Sequence, residues 1–197
     1  MLLEARAPSD PLVFFARWYR QAERAGIPQA DAMTLATAGR QGPSARMVLL
    51  KGLENGAFVF FSNYESRKGG DLASERSAAL VFYWSAQSRQ VRVSGTVRRL
   101  SRRASADYFH SRPRGAQLSA LASRQSRVVP SRLALEGAVA ELSRRFPGRV
   151  PLPADWGGYA LRPAWIEFWE GRADRLHDRL RYVRERGAEW RIERLAP

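Results

Sequence analysis

The stretch ARMVLLKGLENGAFVFFS, residues 45–62, decides the fold class. It sets one apolar run, Ala45 to Leu53, against a second, Ala57 to Ser62, with Asn55-Gly56 between them. Asn-Gly accepts the positive φ angles of a type I′ turn at little cost, and it is the strongest short hairpin signal in the chain. Two antiparallel strands joined by a tight turn are therefore expected here.

The same reading extends in both directions. Met33 to Ala38 is expected as a strand, turned by Gly39-Arg-Gln-Gly42. Ala78 to Trp84 and Gln90 to Leu100 are two more, and in the latter Val91, Val93, Gly95 and Val97 alternate with Arg92, Ser94, Thr96 and Arg98. That alternation leaves one face wet. Ala164 to Trp169, Arg179 to Arg184 and Trp190 to Arg194 complete the strands. Helical signals lie at the periphery. Asp10-Pro11 opens a helix with Leu12, Phe15, Trp18 and Tyr19 on one side, closed by Gly26-Ile27-Pro28. Asn63 or Ser66 caps a short helix to about Glu75, Ser101 one to about His110, and Ser131 one to about Phe146. Pro147 to Gly158 reads as loop. The fold class is mainly β with peripheral α-helices (α+β), a small β-barrel in a single domain over 1–197, with 1–9 as a flexible N-terminal arm.

Composition narrows the function. No apolar run approaches the roughly 18 residues that span a bilayer, and MLLEARAPSDP is charged where a signal peptide needs an apolar stretch. A cytoplasmic protein without a membrane partner is expected. The chain has no cysteine and only His110 and His177 as imidazoles, which argues against thiolate or His-rich metal sites. A net charge of +14 raises nucleic acid as a partner, but of 33 basic residues only Lys51 and Lys68 are lysines, and the arginines run along the whole chain without an aromatic-interleaved basic block. Anionic small ligands suit this better than nucleic acid. If arginine replaces lysine wherever that is tolerated, Lys51 and Lys68 mark places that need a compact ammonium.

Four segments carry candidate chemistry. Arg46 and Lys51 stand at the two ends of the apolar stretch Met47 to Leu50; five apart, they point to opposite faces of a regular strand and share a site only across a bulge. Ser66-Arg67-Lys68 stands at a helix start, where free N–H groups and two cations make either an anion site or an exposed first turn. Tyr108 and Arg112, four apart, fit one phosphate, although cations at a helix C-terminus also complement the helix dipole. Arg175, His177 and Arg179 share a face if extended, on a wet exterior or around an anion. Rossmann and Walker glycine loops and a nucleophile elbow are missing, so a cofactor phosphate would be held by Arg and Lys side chains.

Together, RMVLLK (46–51), FFSN (60–63), SRK (66–68), RQV (89–91), YFHSRPR (108–114), SRQS (123–126), IEFW (166–169) and RLHDR (175–179) resemble the pyridoxamine 5'-phosphate oxidase family, in order, over nearly the whole chain. The resemblance implies an FMN-binding split barrel acting as a homodimer, with active sites at the subunit interface. It implies that Arg46, Lys51, Arg67 and Lys68 hold FMN, that Met47, Val48, Leu49, Phe61, Ser62 and Gln90 line it, and that Gln125, Ser126, Trp169 and Arg179 approach from the other chain. The substrate phosphate would meet Lys51, Tyr108 and Arg112, and Arg175 and His177 would cover the pyridine ring as the catalytic pair. The implied reaction is hydride transfer from the substrate C4′ carbon to flavin N5, with O2 as acceptor and H2O2 as product. Ala116 stands where the family commonly has a phosphate-binding serine, Phe61 where it has tyrosine and Ser62 where it has threonine. Alternatives are a phenazine-type flavin oxidase acting on a bulkier aromatic acid, and a non-catalytic flavin- or nucleic-acid-binding barrel.

Overall fold

The computed structural model of the chain describes residues 2–185 and 189–197. The Asn-Gly hairpin forms as expected: β3 (Gly52–Glu54) and β4 (Ala57–Asn63) pair antiparallel, and Asn55 and Gly56 take φ of 50° and 77°. The strand expected over Ala45–Leu53 is instead divided. β2 (Gly42–Leu49) stops at Leu49, and the next two N–H groups bond elsewhere, Leu50 to the Asp31 carbonyl and Lys51 to the Val59 carbonyl, both at 2.8 Å. The interruption ends the strict alternation before Lys51 is reached.

The remaining strands are β1 (Ala32–Gly39), β5 (Ser77–Trp84), β6 (Arg89–Arg99), β7 (Trp156–Glu170), β8 (Asp178–Arg184) and β9 (Trp190–Arg194). All neighbours pair antiparallel in the order β2-β1-β5-β6-β7-β4-β3, with β8 added to β7 and β9 to β8. β2 and β3 end this path on opposite sides, yet only Leu50 and Lys51 separate them in sequence. The chain itself thus pulls the two edges together and curls the sheet into a barrel.

β7 splits that barrel. Along one edge it pairs β4 from Trp156 to Leu161, then β8 from Trp165 to Glu170. Between them the register with β6 slips, so that Ser94 faces Trp165 while Gly95 faces Pro163, leaving Ala164 as an extra residue. Gly95 is required there, because a Cβ would lie 2.0 Å from the Arg162 carbonyl oxygen. The expected boundaries, a loop to Gly158 and a strand from Ala164, are corrected. Gly157, Gly158 and Pro163 weaken the strand signal, but the glycines are in place because a Cβ would strike Tyr64 or Leu100.

Among the described residues five α-helices cover the barrel: α1 (Pro11–Arg24), α2 (Arg67–Ser74), α3 (Arg102–Ser111), α4 (Arg114–Ala122) and α5 (Arg132–Arg145). Asp10, Ser66, Ser101 and Ser131 cap α1, α2, α3 and α5 by accepting from backbone N–H groups. α4, absent from the expectation, starts after Pro113 without a side-chain cap. α1 fills the core with Phe14, Phe15, Trp18 and Ala22; Phe14 stacks on Phe168 at 4.1 Å, and Phe15 meets Phe58 and Phe82 at 4.9 Å. Burying these rings dominates the stability of this end of the barrel. The segment 1–9, expected as a flexible arm, is tied down where it is described. Leu2 N–H donates to Asp178, Glu4 pairs with Arg194, and the Pro8 carbonyl accepts from Tyr182. Met1 lies outside the described residues.

Candidate active site

A cavity of about 860 Å³ opens beside the Leu50-Lys51 break. Its walls come from β2, the end of β4, the start of α2, the end of α3, α4 and the 123–126 segment. The size falls in the range of small-molecule sites. Arg46, Lys51, Arg67, Lys68 and Arg112 all line it, so both lysines of the chain meet in one place. Of these cations, Arg46 faces Asp71 at 3.7 Å and Lys51 faces Asp31 at 3.0 Å. Arg67, Lys68 and Arg112 have no carboxylate partner among the described residues.

The cations are held differently. Arg46 is fixed by the chain: its Nη1 donates to the Thr37 hydroxyl at 2.7 Å and to the Leu35 carbonyl at 3.1 Å, and its Nη2 donates to Ser44 Oγ at 2.8 Å. Thr37 in turn donates to Asp71 at 2.7 Å, so Asp71 backs the guanidinium both directly and through a hydroxyl. Lys68 is buried and donates from Nζ to Gln125 Oε1 at 2.6 Å and to Ser66 Oγ at 3.0 Å. Burial, reinforced by the charge of Arg46, lowers its pKa to about 8. Arg112 is half-buried, its pKa is lowered by desolvation, and its Nη1 is buried without a hydrogen-bond partner. A buried, unmatched guanidinium donor in a cationic cleft suits an incoming anion.

One wall is aromatic. Phe61 stacks on Tyr108 at 3.8 Å, Tyr108 lies parallel to Trp156 at 6.3 Å, and the Arg112 guanidinium sits 4.9 Å from the Trp156 ring centre. Trp156 was not singled out by the sequence, because it falls at the end of a segment read as loop. Ala116 lines the cavity on the same side, so the position that lacks the family's common serine does face the site.

Not every expected site residue is here. Met47, Val48, Leu49, Phe61, Ser62, Tyr108, Gln125 and Ser126 join the cations. Gln125 and Ser126, expected to approach from the other chain, instead lie in the cleft of their own protomer. Gln125 accepts from Lys68 and Ser62, and Ser126 accepts from the Arg67 N–H, all within one protomer. Gln90, expected to line the same cavity as Phe61 and Ser62, does not. It sits in a cross-strand row, Tyr83-Gln90-Trp169-Arg179, on one face of β5, β6, β7 and β8. His177 joins that row, its ring 4.7 Å from Trp169. The extended run through Arg175, His177 and Arg179 is also corrected: Ala173–Arg175 is a 3₁₀ turn, with φ of 55° at Asp174 and 58° at Arg175. Two adjacent left-handed non-glycine residues turn the exposed Arg175 away from the strand line.

The two groups stand at opposite ends of β7. Gly158 pairs with Phe61 at the cavity, and Trp169 lies eleven residues further on, roughly 35 Å of strand at about 3.3 Å per residue. Within a protomer the row does not line the cavity.

Fold and cleft together define a split β-barrel of the flavin-binding kind, with a polycationic cleft that has one aromatic wall. Comparison with known proteins gives that class its family. The profile described as pyridoxamine 5'-phosphate oxidase matches residues 19–146, and that of the pyridoxine 5'-phosphate oxidase C-terminal dimerisation region matches 156–197. The pyridoxine/pyridoxamine 5'-phosphate oxidase of Salinibacter ruber is 53% identical over 95% of this chain and 89% of its own length. That of Rubrobacter xylanophilus is 54% identical over 100% of this chain and 91% of its own. Among solved structures, PhzG from Burkholderia lata in complex with tetrahydrophenazine-1-carboxylic acid superposes with a TM-score of 0.93, at 31% identity, over 100% of this chain and 98% of that one. The chain belongs to the pyridoxamine 5'-phosphate oxidase family.

Proposed function

We propose that the protein is an FMN-dependent oxidase that converts pyridoxamine 5'-phosphate and pyridoxine 5'-phosphate to pyridoxal 5'-phosphate, with O2 as acceptor and H2O2 as product. The observation that carries this is the convergence of Lys51, Tyr108 and Arg112 in the cavity that also holds Arg46, Arg67 and Lys68. One such cleft has cations enough for two phosphates, one of the cofactor and one of the substrate. The unmatched Nη1 of Arg112 and the lowered pKa of Lys68 fit anions that are part of the working site.

In this reading Arg46, Arg67 and Lys68 bind the FMN phosphate and ribityl chain. Gln125 and Ser66 orient Lys68, while backbone of Met47, Val48 and Leu49 borders the ring. When bound, the flavin supplies the two-electron acceptor and its reoxidation by O2. Lys51, Tyr108 and Arg112 fix the substrate phosphate and so set the distance between the reacting rings. Arg175 and His177, with Gln90, Trp169 and Arg179, reach the cleft from a second copy of the chain. The strand distance within one protomer and the match to a dimerisation region support that arrangement. The protein is thus read as a single-domain subunit of a cytoplasmic homodimer. Among the described residues no helix is long and apolar enough to cross a membrane, and no acidic or His cluster suits a metal ion.

A phenazine-type oxidase is the second reading, favoured by the PhzG superposition and by Ala116. Identity of 53% and 54% to the B6 oxidases against 31% to PhzG supports the first. Purified protein given FMN should turn yellow and release peroxide with either B6 phosphate. Failure to take up FMN sinks both readings; activity on dihydrophenazine acids alone selects the second.

A further inference from the structure

We infer that Trp156 is a positioning residue for the substrate phosphate, acting through Arg112. This rests on the substrate reading above. Arg112 leaves the C-terminal end of α3 without a carboxylate partner among the described residues, and of the two ring faces it meets, Trp156 at 4.9 Å is nearer than Phe109 at 6.0 Å. A guanidinium over an indole keeps its plane and direction while its N–H edge stays free for an anion. Salt-bridging it to an acid would also fix it, but would spend the donors and cancel the charge that a phosphate needs. The indole also backs the second phosphate ligand, since Tyr108 lies parallel to it with an interplanar angle of 3°.

The strand start that carries Trp156 is held by the helix that carries those two ligands. Arg102 of α3 donates to the Trp156 carbonyl at 2.7 Å and the Pro153 carbonyl at 2.9 Å, and Ser105 Oγ accepts from the Gly158 N–H at 3.1 Å. Tyr108, Arg112 and Trp156 therefore move as one body, and the indole sets the guanidinium relative to the phenol.

The test uses flavin-loaded protein and 4-deoxypyridoxine with and without its 5'-phosphate, which cannot be oxidised at C4′. Trp156→Leu should weaken the phosphate ester about tenfold and Trp156→Phe about threefold, following the ring's strength as a cation partner, while the unphosphorylated compound binds unchanged. In an Arg112→Met background Trp156→Phe should add no further loss. If Trp156→Leu does not fold, Trp156→Phe, which keeps a ring in the stack, carries the test. Equal weakening of both compounds, or the same threefold loss without Arg112, would overturn the inference and leave the substrate reading intact. Wild-type protein that binds neither compound would instead bring down the substrate reading and this inference with it.

Discussion

Lys68 Nζ donates to Gln125 Oε1 at 2.6 Å, a contact that ties the start of α2 to the segment after α4. The amine is held at a pKa of about 8, against an ordinary value of 10.5, first by burial and then by Arg46. Between these values the unfolded chain binds more protons than the folded one. The flavin-free protein should therefore gain stability as pH rises through that window, while below about 8 the full cost of burying the charged amine remains. Anion binding has the opposite slope, since it needs the protonated amine. Lys68→Met should raise the melting temperature of flavin-free protein at pH 7, flatten its alkaline slope and weaken FMN. Melts at pH 7 and 9.5 with an FMN titration check this; a lower melting temperature at pH 7 would show that the bonds to Ser66 and Gln125 outweigh the burial cost.

Gly95 should tolerate no side chain. A Cβ there would meet the Arg162 carbonyl oxygen at 2.0 Å and Pro163 Cα at 2.8 Å, both backbone, at the bulge where β7 changes partners. Gly95→Ala should cost on the order of 1–3 kcal/mol by overpacking. Gly70→Ala, with no atom within 4 Å of its Cβ, is the control. Denaturant melts should separate the two variants; equal stability would mean that the β6–β7 register adjusts freely.

How much of this was legible depended on whether a signal was local. The Asn55-Gly56 hairpin, the wet and dry faces of β6 and the serine caps of α3 and α5 are set by neighbours in sequence and are legible there, while for α2 the sequence offers Asn63 or Ser66 and Ser66 is the cap. Composition singles out Lys51 and Lys68, but only the family resemblance puts them in one site, where the structure brings them together. α4 was not, for it has no side-chain cap. The start of β7 was hidden because Gly157 and Gly158 answer to Tyr64 and Leu100, which are distant in sequence. The same holds for Asp71, whose value to Arg46 depends on Thr37 of the neighbouring strand β1 standing between them, and for the exchange of Gln90 and Gln125 between the two groups of site residues.

Ala116 offers a gain-of-function test. It lines the cavity with Tyr108 and Arg112, one turn of α4 in from Pro113. A hydroxyl there would add one hydrogen bond to a phosphate already held by cations, and a net hydrogen bond contributes roughly 0.5–1.5 kcal/mol. Ala116→Ser should lower the KM for pyridoxamine 5'-phosphate about twofold to tenfold with little change in kcat. No change in KM would place the substrate phosphate away from α4.

The separation of Lys68 from Arg175 and His177 makes subunit complementation decisive. Lys68→Met damages the cleft, and Arg175→Leu damages the group proposed to reach it from the partner. Each homodimer should be strongly impaired, because every site in it carries one defect. When the two variants are unfolded together and refolded as a mixture, half of the dimers are heterodimers by chance. In each heterodimer one site carries both defects and the other carries neither, so activity should return to about a quarter of wild type. FMN should stay bound to Arg175→Leu throughout, since its own cleft is intact. Recovery fails if both groups serve the site of their own protomer, and peroxide release from the refolded mixture distinguishes the two arrangements.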